Sequence, residues 1–145
     1  MIAVGIWAAQ MGGCSLWAVP LTFVAVMALG GTLGMAGVQV PFGEQGIVIS
    51  VLTLGVLIAA SAHLALAPSV ILVGLFAIFH GQAHGAEMPV GASGLEYGIG
   101  FIFATALLHV CGIGIGIGVQ RLASAPWVRF AGVAIALCGA YLWLS

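Results

Sequence analysis

From Met1 to Gly43 the chain has no Asp, Glu, Lys, Arg or His at all. About 20 apolar residues are enough to cross a bilayer once, so a stretch this long holds more than one membrane segment. The whole chain of 145 residues has two basic and three acidic side chains, 3% charged, where a soluble domain has about 25%. A water-facing surface cannot be built from so few. With 63% hydrophobic residues and a mean hydropathy of +1.33, the composition excludes a soluble core. The lack of basic residues also excludes nucleic-acid binding. The chain is read as one integral membrane domain in contact with the lipid bilayer.

Backbone groups in lipid must be satisfied within a segment, which leaves helices or a closed barrel. The apolar runs are continuous and do not alternate with the period of two that a barrel strand needs. The predicted fold class is therefore an all-α polytopic bundle. Helices are expected over Met1–Met11, Ser15–Val38, Gln45–Ala62, Pro68–Glu87, Leu95–Val119 and Pro126–Leu144. Gly12-Gly13, the Gln39–Gly43 turn, Pro68, Pro89 and Pro126 punctuate these runs. The first segment covers only about 16 Å as a helix, roughly half of the hydrocarbon core. It lacks the basic start and the cleavage site of a signal peptide. The expectation is about five full spans plus a partial first helix that lacks its beginning.

Both basic residues, Arg121 and Arg129, flank the last connection, which places that connection on the cytoplasmic side. Alternation then puts the loop with Glu87 and Glu96 outside, the His63 loop inside, and the C-terminus outside. Trp7, Trp17, Trp127 and Trp143 lie near predicted helix ends and are expected in the interfacial belts.

The ionisable groups that remain are concentrated. His80-Gly-Gln-Ala-His84-Gly-Ala-Glu87 puts two histidines one turn apart and a carboxylate nearly two turns on, all within an arc of roughly 60° on a continuous helix. Imidazoles at i and i+4 can direct their nitrogens to one metal ion, and a nearby carboxylate can bind directly or orient a ring. The alternative is a pair of solvated histidines capping carbonyls at an interface. Gly81 and Gly85 also form a small-xxx-small pair that lets another helix approach. His109 lies about 18 Å along its helix from Tyr97, near the bilayer midplane, and an ionisable group there should face the bundle interior. It is either a second point on a metal path or a neutral imidazole bridging two helices.

Cys14, Cys111 and Cys138 are scattered and apolar in setting, and are expected as small packing residues rather than a disulfide framework. The methionines form no thioether cluster along the sequence, which argues against a copper(I) route. The glycines at 112, 114, 116 and 118 follow an apolar helix without a lysine, so they thin a helix for packing rather than cradle a phosphate.

The segment Phe79-His80-Gly-Gln-Ala-His84-Gly-Ala-Glu87, followed by Pro89, resembles the signature of the HupE/UreJ family. Similar matches are Val4-Gly-Ile-Trp-Ala-Ala-Gln10, Met27-Ala-Leu-Gly-Gly31 and Gly100-Phe101 leading to Ala104-Thr-Ala-Leu-Leu-His109. The resemblance implies a hydrogenase or urease accessory permease of the bacterial inner membrane, not an enzyme. It implies Ni2+, or Co2+ in some members, as transported substrate with no permanently bound cofactor; a homo-oligomer is left open, and the sequence does not set the oligomeric state. His80, His84 and Glu87 match the family motif, and His109 matches its later helix. Similar chains usually begin with a cleaved signal, a His-rich start and a His-Pro-x-x-Gly-x-Asp-His helix. Those residues would precede Met1 here, and their loss would leave the chain inactive or its site incomplete. An intramembrane metalloenzyme using the same histidines, and a scaffold that transports nothing, are the other classes of function considered. The metalloenzyme has weaker support, since a hydrolase or di-iron site needs more ligands than this chain supplies, while a scaffold needs no ordered ligand path and is told apart by metal binding.

Overall fold

The structure, a computed structural model, describes residues 1–122 and 126–145. Six helices follow one another: α1 (Ile2–Met11), α2 (Ser15–Met35), α3 (Gly43–Ala59), α4 (Leu66–Ala86), α5 (Gly94–Leu122) and α6 (Pro126–Leu144). No strand occurs among the described residues. Four of the helices, α2, α4, α5 and α6, are long and apolar enough to cross a membrane. At 17 residues α3 is at the lower limit for a span, and α1 has 10.

Two helices end earlier than the apolar pattern suggests, and their caps explain why. After α2, Gly37 takes φ 77°, its N–H donates to the Gly34 carbonyl, and the Val38 N–H reaches back to the Leu33 carbonyl. After α3, Ser61 takes φ 51°, with matching bonds from Ser61 to Ile58 and from Ala62 to Leu57. Both are left-handed caps that close the helix with residues hydropathy alone assigns to it. At its start, α4 runs through Pro68, which sits in the first turn where its missing N–H leaves no gap in the ladder.

The helices associate as three close pairs, each seamed by glycine. In the first, α1 and α5 run parallel. A Cβ on Gly5 would lie 2.3 Å from the His109 carbonyl oxygen, one on Gly112 2.3 Å from that of Ile2, and one on Gly116 2.7 Å from the Ala9 Cβ. The pair α2 and α4 is also parallel, with Gly30 and Gly34 against Ile78 and Gln82, and Gly81 and Gly85 against Met27 and Gly31. In the third, α3 and α6 are antiparallel, with Gly55, Gly132 and Gly139 facing Ala136, Ala59 and Leu52. Only residues without a side chain let backbones approach this closely in a membrane, where lipid tails are as apolar as the helices. The Gly112–Gly118 run thus serves packing at Gly112 and Gly116. Gly114 and Gly118 face open space.

The core is centred on Val4, Trp7, Val19, Phe23, Met27, Ile58 and Val73. Large apolar side chains such as Leu21, Leu29, Ile71, Ile99, Phe103 and Leu137 cover the outside, as a lipid-facing surface requires. Trp17, Trp127 and Trp143 are exposed, but Trp7 is not interfacial: it is fully buried and donates its indole N–H to the Ala62 carbonyl at 3.0 Å. Its position near the end of a short helix misled, because α1 is wedged inside the bundle. Beside it, Gln10 donates to the Ile58 carbonyl at 3.1 Å and Arg129 to the Ala59 carbonyl at 2.8 Å. Side chains from α1 and α6 thereby satisfy the free carbonyls at the end of α3. The three cysteines are exposed on the bundle surface and not packed inside it.

A candidate metal pathway

The last two turns of α4 carry the histidine segment. Gly81 and Gly85 lie directly on α2, where a Cβ would come within 2.1 Å of the Met27 carbonyl and 2.2 Å of the Gly31 carbonyl. His80 and His84 each precede one of these glycines, so the tight seam fixes both. Gln82 adds a tether by donating its amide to the Val38 carbonyl at 3.3 Å, tying α4 to the loop after α2.

His80 is half-buried. Its Nδ1 lies 3.0 Å from the Phe76 carbonyl, and a carbonyl can only accept, so this contact assigns the proton to Nδ1. Nε2 then keeps its lone pair, the state in which imidazole binds a metal. His84, one turn on, is half-buried with its ring 4.4 Å from that of Phe101. Its carbonyl accepts a hydrogen bond from the Tyr97 hydroxyl at 3.0 Å. Two residues of α5 therefore hold this turn of α4.

Glu87 caps that helix instead of lying within it. The helix ends at Ala86, and Glu87 occupies the exposed turn beyond it, with its N–H bonded to the Ala83 carbonyl at 3.1 Å. It has company there, since Glu44 opens α3 and Glu96 opens α5 at the same end of the bundle, both exposed. Every carboxylate side chain of the protein is thus at this end, and both arginines are at the other. Such a polarity raises the local concentration of cations at the carboxylate end.

His109 is deep inside, 2% exposed, and neither ring nitrogen has a hydrogen-bond partner. The bridging role weighed for it from the sequence therefore finds no acceptor or donor. Between His109 and His80 stands Phe23 of α2. Its ring is 5.5 Å from the His80 ring at 65°, and 5.2 Å from the His109 ring at 90°. One turn before His109, Thr105 donates its hydroxyl to the Met27 sulfur at 3.5 Å. Among the described residues no three His, Cys, Asp or Glu side chains gather closely enough to hold a metal ion together. The arrangement is a series of separated donors, with His84 and His80 above Phe23 and His109 below it.

Sequence reasoning placed the histidines but missed Phe23, Tyr97, Phe101 and Gln82, which hold them. A Phe in an apolar helix carries no signal of its own. Tyr97 is one of only two tyrosines, and its hydroxyl at a helix start offered a clue.

Comparison with known proteins agrees with the motif. Residues 1–142 match the family described as HupE / UreJ protein. Protein HupE from Rhizobium leguminosarum bv. viciae is 44% identical over 144 residues, which cover 98% of this chain and 74% of that protein. No solved structure matches the chain. With a family match over almost its whole length and a helical bundle of several apolar spans, the chain is a multi-pass membrane protein that belongs to the HupE/UreJ family.

Proposed function

We propose that the protein carries a divalent transition metal, nickel in the first place and cobalt as its nearest substitute, across the bacterial inner membrane to supply hydrogenase or urease maturation. The observation that carries this reading is His109: a buried imidazole with two unpartnered nitrogens is costly inside a membrane. A passing cation gives it a purpose. In this reading α3 completes five spans and α1 is a partial one. The carboxylate end faces outward, and the arginine end faces the cytoplasm in line with the positive-inside rule.

Metal arriving at the mouth is drawn by Glu44, Glu87 and Glu96 and exchanges water for imidazole at His84 and at Nε2 of His80. It then passes Phe23 to His109. Separated donors suit transport, because a full coordination cage would retain the ion, while weak and successive sites let it leave. Imidazole nitrogens select borderline metals over Mg2+ and Ca2+, which prefer oxygen. Replacement of His109 tests the reading. His109→Leu is expected to insert at normal levels and to lose most nickel accumulation in cells lacking other nickel importers. Accumulation equal to the unmodified protein would reduce His109 to packing.

A further inference from the structure

We propose that the Met27 thioether is a donor of the inner metal position, acting with His109 and held in place by the Thr105 hydroxyl. This inference rests on the reading of the protein as a metal permease and names a ligand that the histidine motif does not contain.

The geometry is a small rectangle between two antiparallel helices. Phe23 and Met27 are one turn apart on α2, and Thr105 and His109 are one turn apart on α5. Phe23 stacks edge-on to His109 across the gap, and Met27 meets Thr105 across it at 3.5 Å. Met27 is fully buried, Thr105 is 2% exposed, and His109 has no hydrogen-bond partner at either nitrogen. Two of these groups already have an explanation within the protein. The imidazole has none, and one turn from it along α5, and one turn from its partner Phe23 along α2, stand the Thr105 hydroxyl and the Met27 sulfur.

Chemistry favours a metal over a simple packing role. Met27 could be any apolar residue if it only filled space, yet its sulfur receives the hydroxyl of Thr105. That bond uses one sulfur lone pair and orients the other. A thioether is neutral and polarisable, so it binds borderline and soft cations weakly and ignores hard ones. With a neutral imidazole and a hydroxyl that can turn to present its oxygen, it makes an inner site that discriminates by softness and still releases its ion. The absence of a methionine cluster along the sequence does not bear on this, because one thioether beside one imidazole suffices for a transient site.

The test uses the full chain in detergent micelles with isotope-labelled methionine methyl groups, and Cd2+ as a soft, diamagnetic probe. The Met27 resonance is identified by its loss in Met27→Leu, or by substitution of the other methionines should that variant not accumulate. Cd2+ is expected to shift this resonance, Mg2+ to leave it unchanged, and His109→Leu to diminish the Cd2+ shift. In cells, Met27→Leu nearly conserves volume, and Cd2+ should compete with Ni2+ uptake about threefold less effectively, while competition by Mn2+ stays the same. A Met27 methyl that ignores Cd2+, or unchanged Cd2+ competition in Met27→Leu, overturns the proposal. Absence of Ni2+ uptake by the unmodified protein would instead refute the permease reading, and the methyl shift would then decide the metal site alone.

Discussion

Phe23 and His109 meet at a right angle, ring centroids 5.2 Å apart, with the phenyl ring also edge-on to His80. One buried aromatic side chain therefore contacts both imidazoles of the proposed path and separates them. Edge-to-face pairs contribute about 0.5–1.5 kcal/mol each beyond burial.

Replacing Phe23 should consequently disorder two imidazoles at once. Phe23→Ala is expected to lower nickel uptake by about tenfold, and Phe23→Leu, which keeps the volume apolar but loses the flat ring, by an intermediate amount. Uptake in membranes with matched protein levels checks this. Equal rates for all three proteins would show that Phe23 only fills space.

The glycine seam between α2 and α4 makes a prediction about stability. A methyl group on Gly81 would meet the Met27 carbonyl at 2.1 Å, backbone that cannot move aside alone. Gly81→Ala should cost at least ~1–3 kcal/mol through forced separation of the helices. Gly98, on the open face of α5, has nothing within 4 Å, and Gly98→Ala should be neutral or slightly stabilising. Thermal unfolding in detergent distinguishes the two, and a Gly81→Ala protein as stable as Gly98→Ala would contradict the seam.

Much of this was legible in the sequence, for reasons that can be named. A run without charges demands helices in lipid, and histidines at i and i+4 share a face wherever the helix continues. The pairing of helices was not legible: α1 with α5 and α3 with α6 depend on which of 23 glycines face which, and periodicity is silent on that. Trp7 shows the same gap, since an indole near a helix end reads as interfacial unless the helix is known to be short and enclosed. Glu87 was expected as the last residue of its helix and is its cap, one residue past Ala86, because Gly85 and Ala86 give no strong stop. His109 was expected inside and is inside, but its neighbours Phe23, Met27 and Thr105 are brought to it by α2 and by tertiary packing alone.

Orientation offers a third check. The proposed orientation, with Arg121 and Arg129 at the cytoplasmic end, predicts that a periplasm-dependent alkaline phosphatase fused after Ser145 is active and that one inserted beside His63 is inactive. The reverse pattern would place the acidic mouth in the cytoplasm and turn the proposed direction of metal flow around.

Nickel flux through the purified protein tests the central claim most directly. Proteoliposomes containing the unmodified chain should accumulate radioactive Ni2+ in their lumen down a concentration gradient, and those with His80→Ala and His84→Ala combined should match protein-free vesicles. Equal flux with and without the two histidines, from proteins inserted at equal density, would contradict the account.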